Sequence, residues 1–414
     1  MHNEKRSVAW SVALVTLLGP ALLSQPARAQ TFTVLHNFTG GVDGALPSGG
    51  VVFDAAGNLY GTTAEGGYTG GACADYGCGA VFKLKAGADG WTLNPLYNFH
   101  FNDGNLPIAR VVFGPDGTLY GTTFNGGTSG EYGTVFNLRP PPTVCKTRFC
   151  PWTETVLWNF TDRPDGANPG RGDLTFDAAG HLYGTTVIGG SYGGGTVFEL
   201  AQLPGGGWRE NIDFSFGEQI SDGFSPWAGV IFDNAGKLYT TTFDGGYYEG
   251  GTVVELVHSA PKWTENVLHL FQYGDDGEWP YGGLIFDQAG NLYGTTTGYA
   301  GNVFEMKYSG GAWNLGVLYR FVNGQYGPVT SLTMDRPGNL YGTTETDGLY
   351  GNGNVFKLTL SNGAWTYSSL HDFTGGSDGG VPVSEVTIDP CGNLYGSASS
   401  GGAYGKGVVW KITP

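Results

Sequence analysis

From residue 31 onwards, runs of apolar, β-branched and aromatic residues alternate with turns of glycine, aspartate, asparagine and proline. Each run is four to nine residues long, as in Gly-Val-Val-Phe-Asp at 50–54, Leu-Tyr-Gly-Thr-Thr at 59–63 and Gly-Thr-Val-Phe-Glu-Leu at 195–200. A fourth kind of run begins at Trp and ends at Phe, as at 263–271. Runs of this composition, bounded by turn residues, predict β-strands joined by hairpins. Because no segment after residue 30 has helical periodicity and length, we predict an all-β protein.

The four runs form one unit that recurs seven times. The most regular run, Leu-Tyr-Gly-Thr-Thr, has two degenerate copies, and successive copies lie 48 to 63 residues apart (293 to 341 and 120 to 183). The tyrosines that mark the copies are Tyr60, Tyr120, Tyr183, Tyr239, Tyr293, Tyr341 and Tyr395. A four-stranded unit arrayed in this way is typical of a β-propeller. We therefore predict one domain over residues 30–414, a seven-bladed β-propeller with four-stranded blades.

The phase of the repeat predicts how the ring closes. Residues 31–38 have the pattern of a fourth strand, whereas the last repeat stops after a third strand at 407–413. Only six fourth strands lie inside the chain, so the N-terminal strand would supply the seventh. We predict that residues 31–38 pair with residues 407–413 in one composite blade, since closure removes unpaired strand edges.

The complete repeat pattern is similar to that of a known family. Asp-x-x-Gly-Asn-Leu-Tyr-Gly-Thr-Thr, followed by Gly-Gly and then Gly-Thr-Val-Phe-x-Leu, resembles the GloVer tandem repeat of exported bacterial proteins with a "choice of anchor", over residues 31–414. The resemblance implies a cell-surface or secreted propeller-like protein, and it carries over no catalytic residues. The C-terminal sorting segment that many such proteins carry is missing here, so release and surface anchoring both remain open.

The N-terminus has the pattern of a secretory signal peptide. Lys5 and Arg6 precede a mostly apolar stretch at 7–23, and Ala-Arg-Ala at 27–29 is a small-x-small cleavage site. We expect cleavage near Ala29 and a secreted or periplasmic mature chain. The apolar stretch is too short for a spanning helix, so we expect no transmembrane segment in the mature chain.

Charge and cysteine content indicate which ligands and which cellular compartment suit the protein. The chain has 36 acidic and 20 basic residues, a net charge of −16, which disfavours nucleic acid and anionic membranes and suits a neutral or cationic ligand. Two C-x4-C pairs, Cys73 with Cys78 and Cys145 with Cys150, predict short disulfide loops in an exported chain. Zinc is the alternative, although no histidine lies near either pair in the sequence. Cys391 remains as a free thiol.

The repeat also gives a structural explanation for residues that resemble a metal site. His36, His269 and His371 fill a fourth-strand position that holds Tyr, Trp or Phe in the other copies, so we interpret them as packing residues. The Asp-Gly-x-x-Pro motif places an aspartate before six of the first strands, where Asp-Gly is a turn former. A Ca2+ site at this ring of carboxylates is the alternative. We expect no cofactor and no metal.

Aromatic residues that break the repeat are the candidates for ligand binding. Trp227 and Trp279 lie in consecutive interblade loops, on the face that also carries Tyr247 and Tyr299. Exposed rings suit the C–H faces of sugars, while nearby carboxylates bind hydroxyls. The alternative is that these rings pack on one another and cap the channel. The predicted carbohydrate site consists of Phe224, Trp227, Trp279, Tyr281 and Tyr326 for stacking, with Asp222 and Asp276 for hydroxyls.

Charged residues at the start of three first strands are the candidates for catalysis. Arg110, Asp173 and Glu385 stand where other copies have glycine or serine. At the channel mouth they could serve hydrolysis or elimination, or Arg110 could simply neutralise the two acids. Since no nucleophile elbow, metal signature or phosphate loop is present, we favour a monomeric carbohydrate-binding module. The alternatives are a polysaccharide lyase or hydrolase and a protein-interaction scaffold.

Overall fold

The computed structural model describes residues 30–88, 90–142, 152–260, 262–322 and 326–414. Within them the chain is all-β, with seven blades of mainly four antiparallel strands arranged in a ring. This confirms the predicted fold class. The predicted signal peptide, residues 1–29, and the pair Cys145 and Cys150 lie outside the described residues.

The blades are numbered one to seven by the tyrosines of the repeat, from Tyr60 to Tyr395. The first strands, nearest the axis, are Val52–Phe53, Val112–Phe113, Thr175–Phe176, Ile231–Phe232, Ile285–Phe286, Thr333–Met334 and Thr387–Ile388. The second strands are Leu59–Thr63, Leu119–Thr123, Leu182–Ile188, Leu238–Thr242, Leu292–Thr296, Leu340–Thr344 and Leu394–Ala398. The third strands are Gly77–Gly87, Thr134–Arg139, Thr196–Gln202, Thr252–Ser259, Asn302–Ser309, Asn354–Ser361 and Val408–Thr413. The fourth strands are Gly90–Asn98, Thr153–Asn159, Trp208–Ser215, Lys262–Leu270, Ala312–Arg320, Ala364–Asp372 and, from the N-terminus, Thr31–Asn37.

Short elements in the loops complete the secondary structure. They are the strands Gly66–Gly67, Ala167–Pro169, Gly223–Phe224 and Asp244–Gly245 and the 3-10 turns Gly71–Cys73 and Gly298–Ala300. In the part of the chain that the structure describes there is no α-helix, and none of its helical turns is long and apolar enough to span a membrane.

The recurring tyrosine and threonine of the repeat form hydrogen bonds to the turn of the same blade and to the neighbouring blade. The Tyr60 hydroxyl donates to Asp54 (3.0 Å), whose other carboxylate oxygen accepts the Ala56 amide in the turn (2.9 Å). The Thr62 hydroxyl donates to the carbonyl of Ala109 in blade two (2.9 Å). Equivalent bonds to the next blade come from Thr185, Thr241, Thr295, Thr343 and Ser397. The repeat is therefore a structural signature.

The N-terminal strand Thr31–Asn37 pairs antiparallel with Val408–Thr413, from Thr31 opposite Thr413 to Asn37 opposite Val408. Beside this pair, buried side chains of blades seven and one form a common cluster that includes Phe38 and Phe82. Similar clusters fill the other seams between blades. The hydrophobic core is therefore distributed around the ring, between neighbouring sheets.

Two predictions about individual side chains have clear outcomes. Cys73 and Cys78 form a disulfide in the second-to-third-strand loop of blade one, with Cα atoms 5.2 Å apart, while Cys391 is an exposed free thiol. The interpretation of the three histidines as packing residues is incomplete. Each also pairs through Nε2 with the aspartate seven positions later, at 2.9 to 3.1 Å: His36 with Asp43, His269 with Asp276 and His371 with Asp378.

Candidate functional site

The three charged residues predicted at the channel mouth form one ion-paired group. Arg110 Nε lies 2.9 Å from Asp173 Oδ2, and its Nη2 lies 2.9 Å from Glu385 Oε2 and also contacts Asp173. Burial disfavours charge here, but the two carboxylates outweigh it and raise the pKa of Arg110. Burial, together with the Glu385 carboxylate, raises the pKa of Asp173 to about 7 against the opposing effect of Arg110. One guanidinium thus pairs with two acids.

The space around this group is small. The cavity lined by Arg110, Asp173 and Glu385 has a volume of about 20 Å³, which holds about one water molecule. A sugar ring needs several times this volume. The cavity is therefore too small to enclose a sugar ring beside the two carboxylates, although about a fifth of each acid side chain is exposed to solvent.

The rim of the channel is built from the residues that follow the proline of each interblade loop. In blades four and five these are Trp227 and Tyr281, whose rings stack with centroids 4.9 Å apart. Phe124 of blade two stacks on Trp227, at 5.5 Å and only 10° from parallel. In other blades the same position holds the smaller Ser48 or Val383. Three rings from three blades are thus assembled at one side of the mouth.

Arg171 crosses the mouth from blade three. Its guanidinium lies over the Tyr281 ring, 5.7 Å from the centroid, and its Nη1 donates to the Val383 carbonyl of blade seven (3.4 Å). Its Nε is buried and has no hydrogen-bond partner among the described residues. Burial raises the pKa of Glu345 in blade six, and the charge of Arg171 opposes that shift. The mouth therefore combines stacked rings with one guanidinium that retains donor capacity.

Further rings extend the stack away from the axis. Phe243 contacts Tyr281 edge-on (5.6 Å) and stacks on Trp279 (5.8 Å), which in turn meets Tyr273 edge-on (6.2 Å). Six rings thus contact one another in sequence, and we call them the aromatic series: Phe124, Trp227, Tyr281, Phe243, Trp279 and Tyr273. Tyr273 is exposed, and the other five rings are half-buried. The rings pack on one another and also keep part of their surface in solvent, so features of both predicted alternatives are present.

The other predicted ligand-binding residues lie apart from the series. Phe224 lines a separate groove of about 440 Å³ with Tyr247, and Tyr326 is exposed and pairs through its backbone amide with Thr346. The Asp222 carboxylate accepts from the Gln219 amide of its own loop, and the Asp276 carboxylate pairs with the ring of His269 in the preceding fourth strand. The structure thus brings together Trp227, Trp279 and Tyr281 of the predicted set.

Phe124, Phe243 and Arg171 are site residues that the sequence analysis did not select. Phe124 and Phe243 directly follow the repeated Thr-Thr, where the other copies have Ala, Val, Thr, Glu or Ser. Arg171 lies in a stretch that is one residue longer than its equivalents, since eight steps separate Pro169 from Asp177 and seven separate Pro47 from Asp54. The phenylalanines after Thr-Thr and the extra residue near Arg171 can therefore both be identified by aligning the repeats.

Comparison with known proteins gives a family and a fold. A family model described as the Gloeobacter/Verrucomicrobia repeat matches residues 21–155, 68–220 and 202–410. Among solved structures, a candidate 6-phosphogluconolactonase from Bacteroides fragilis aligns at 14% identity over 81% of this chain and 87% of its own, with a TM-score of 0.50. A candidate oxidoreductase (glucose dehydrogenase) from Thermus thermophilus aligns at 16% identity over 93% and 100%, with a TM-score of 0.44. A search of curated protein sequences found no match. At 14% identity the first structure supports the propeller fold alone.

Proposed function

The chain belongs to the Gloeobacter/Verrucomicrobia repeat family, and from that premise we propose that it is an exported β-propeller module that binds extracellular carbohydrate. The observation that carries the proposal is the aromatic series at the channel mouth. Its six rings belong to none of the hydrophobic clusters that fill the seams. The core is therefore complete without them, and binding gives a reason for assembling them.

The chemistry of the mouth suits a sugar chain. Phe124 and Tyr281 stack on Trp227, and Arg171 lies over Tyr281. Pyranose C–H groups would therefore contact the solvent-facing edges of these rings and the exposed ring of Tyr273. Arg171 offers donors, and Glu345 offers acceptors, to hydroxyl groups at the same edge of the channel. With a net charge of −16 the surface repels polyanions, which favours neutral or cationic glycans.

An extracellular location agrees with the cysteine chemistry. The buried Cys73–Cys78 disulfide needs an oxidising compartment to form and persist. Cleavage of a signal peptide at residues 1–29 would deliver the chain there. The proposal holds for a released and for an attached protein.

A glycan array of residues 30–414 tests the proposal. We expect binding to at least one neutral or cationic polysaccharide class, and Trp227→Ala should weaken it about tenfold, since the variant removes the ring between two stacked neighbours. Tyr308→Ala is the matched control, because this exposed tyrosine lies in the hairpin between the third and fourth strands of blade five, at the opposite face. Binding that survives Trp227→Ala unchanged, or an array without any bound glycan, would contradict the proposal.

A further inference from the structure

A cavity of about 400 Å³ opens beside the outer end of the aromatic series. It is lined by Tyr273 and Glu278 of the loop between blades four and five, by Gly298, Tyr299 and Asn302 of blade five, and by Arg320 at the end of its fourth strand. This blade-five cavity is well within the volume range of sites for small ligands.

The cavity exists because one loop of blade five is short. The second and third strands of blade five are joined by residues 297–301, five residues, whereas blade four uses residues 243–251, nine residues. The usual Gly-Gly loop is thus missing at this position. Its absence leaves open the space above the interblade loop that contains Glu278.

Glu278 is buried in the wall of this cavity without a partner. Its exposed fraction is 1%, and neither carboxylate oxygen has a hydrogen-bond partner in the described part of the chain. Other interblade loops have Ala45, Ala167 or Gly380 at this position, so the carboxylate is particular to blade five. Gly298 makes room for it, because a Cβ there would lie 2.2 Å from the Glu278 Cγ.

The cavity supplies no cation for Glu278. Arg320 is the cationic side chain of its lining, and this guanidinium is bound by Asp275, with Nη1 2.7 Å from Oδ1. Burial raises the pKa of Glu278, as expected for an acid without a counter-ion. A buried carboxylate is normally paired, so a cationic group of a ligand would complete the site.

Two tyrosines present their rings to the same space. Tyr299 is 87% exposed and has a φ of 48°, and Tyr273 is also exposed, with a φ of 57°. Bulky residues adopt these left-handed conformations only at an energetic cost, and such strain concentrates at functional sites. Aromatic faces around a carboxylate are the recognition chemistry for an ammonium group.

We propose that the blade-five cavity binds the ammonium group of an amino sugar, with Glu278 as its counter-ion and Tyr273 and Tyr299 as its walls. The inference rests on the proposed carbohydrate function, because Tyr273 belongs both to the cavity and to the aromatic series. A sugar chain lying on the series reaches the cavity directly. This continuity favours an amino sugar over the lysine side chain of a protein partner.

Calorimetric titration with two matched ligands tests the inference. Glucosamine oligomers carry ammonium groups, whereas N-acetylglucosamine oligomers of equal length have the same rings without the charge. We expect residues 30–414 to bind the glucosamine oligomers about tenfold or more tightly, the range of a charge-assisted contact. Glu278→Gln should bring the two affinities together, and Tyr299→Ala should weaken the glucosamine oligomers with little effect on folding, since its ring is exposed. Glu131→Gln, a change at an exposed acid in the loop between the second and third strands of blade two, should change neither affinity.

The outcomes separate this inference from the proposed function. If both oligomers bind equally and Trp227→Ala weakens both, the carbohydrate function stands and the ammonium site is wrong. If Glu278→Gln keeps the preference for glucosamine oligomers, the site is likewise wrong. If a lysine-rich peptide binds in a Glu278-dependent manner and no oligomer does, the amino-sugar assignment is overturned in favour of a protein ligand. If neither oligomer and no other glycan binds, both proposals fail.

Discussion

In blade four, two changes to the repeat occur opposite each other. Thr240 replaces the glycine of Leu-Tyr-Gly-Thr-Thr, and Val254 replaces the ring that faces this position across the strand pair. In blade five Gly294 lies under Phe304, and a Cβ on Gly294 would lie 2.5 Å from the ring. The same crowding occurs at Gly61, Gly121, Gly184, Gly342 and Gly396. The glycine is therefore required by the ring above it.

We predict that blade five folds stably with the threonine and valine of blade four at positions 294 and 304 only when both are introduced together. Gly294→Thr alone overpacks a closed site and should lower the free energy of unfolding by about 1–3 kcal/mol. Gly294→Thr with Phe304→Val should recover most of that loss in a thermal or urea unfolding experiment. A double variant no more stable than the single one would show that the two positions are not coupled.

Blades two to four carry a half-buried glutamate in the fourth strand where blades one and five have leucine. Glu154, Glu210 and Glu265 occupy the fourth-strand position that holds Leu93 in blade one and Leu315 in blade five. Burial, with the nearby carboxylates of Asp103, Asp165 and Asp222, raises the pKa of these three glutamates to about 8, 9 and 8. They are therefore protonated in the folded protein near neutral pH.

These acids predict a loss of stability with rising pH. The unfolded chain releases the Glu210 proton near its ordinary pKa of 4.5, whereas the folded chain keeps it up to about 9. Protonated Glu210 contributes its full stabilisation below pH 4.5. Between pH 4.5 and about pH 9 the free energy of unfolding falls by about 1.4 kcal/mol per pH unit, because only the unfolded chain releases the proton. The melting temperature should therefore fall between pH 5 and pH 8, and Glu210→Gln should reduce the fall. Glu131→Gln serves as the exposed control, and an equal fall in all three proteins would contradict the assignment.

At the scale of strands, the repeat predicted the four strands of each blade but neither their full extent nor the short elements in the loops. The apolar run at 50–54 predicts a five-residue first strand, and only Val52–Phe53 pairs with the second strand. The preceding residues, including Ser48 and Gly50, turn to line the channel instead. Sequence periodicity reports which side chains are apolar, whereas the geometry near the axis decides how many backbone groups can pair.

The candidate site was predictable to the extent that it departs from the repeat. Trp227, Tyr281 and Trp279 were selected in this way, and the alignment also contained the signals for Phe124 and Phe243. The contacts of Arg171 with Tyr281 and Val383 were not predictable, because they join blades that are distant in sequence. The burial of Glu278 depends on the length of another loop, which the residue itself does not reveal.

For the molecule as a whole, the N-terminal strand joins the two ends of the chain in one blade. Phe38 is fully buried in the seam between blades seven and one, and Phe32 stacks on His371 at 3.7 Å. Deleting residues 31–38 would also leave the edge of Val408–Thr413 unpaired. The melting temperature should therefore fall by many degrees in calorimetry. Thr33→Ala, an exposed change in the same strand, should leave it nearly unchanged. An unchanged melting temperature after the deletion would show that the ring does not depend on this strand.

The central claim is that the aromatic series acts as one continuous surface for a sugar chain. Calorimetric titration of the strongest array ligand against Trp227→Ala and Trp279→Ala tests it most directly, because these residues lie towards the inner and outer ends of the series. We predict that each variant weakens binding about tenfold, whereas Tyr308→Ala on the opposite face binds like the unmodified protein. Unchanged affinity in both tryptophan variants would contradict the account.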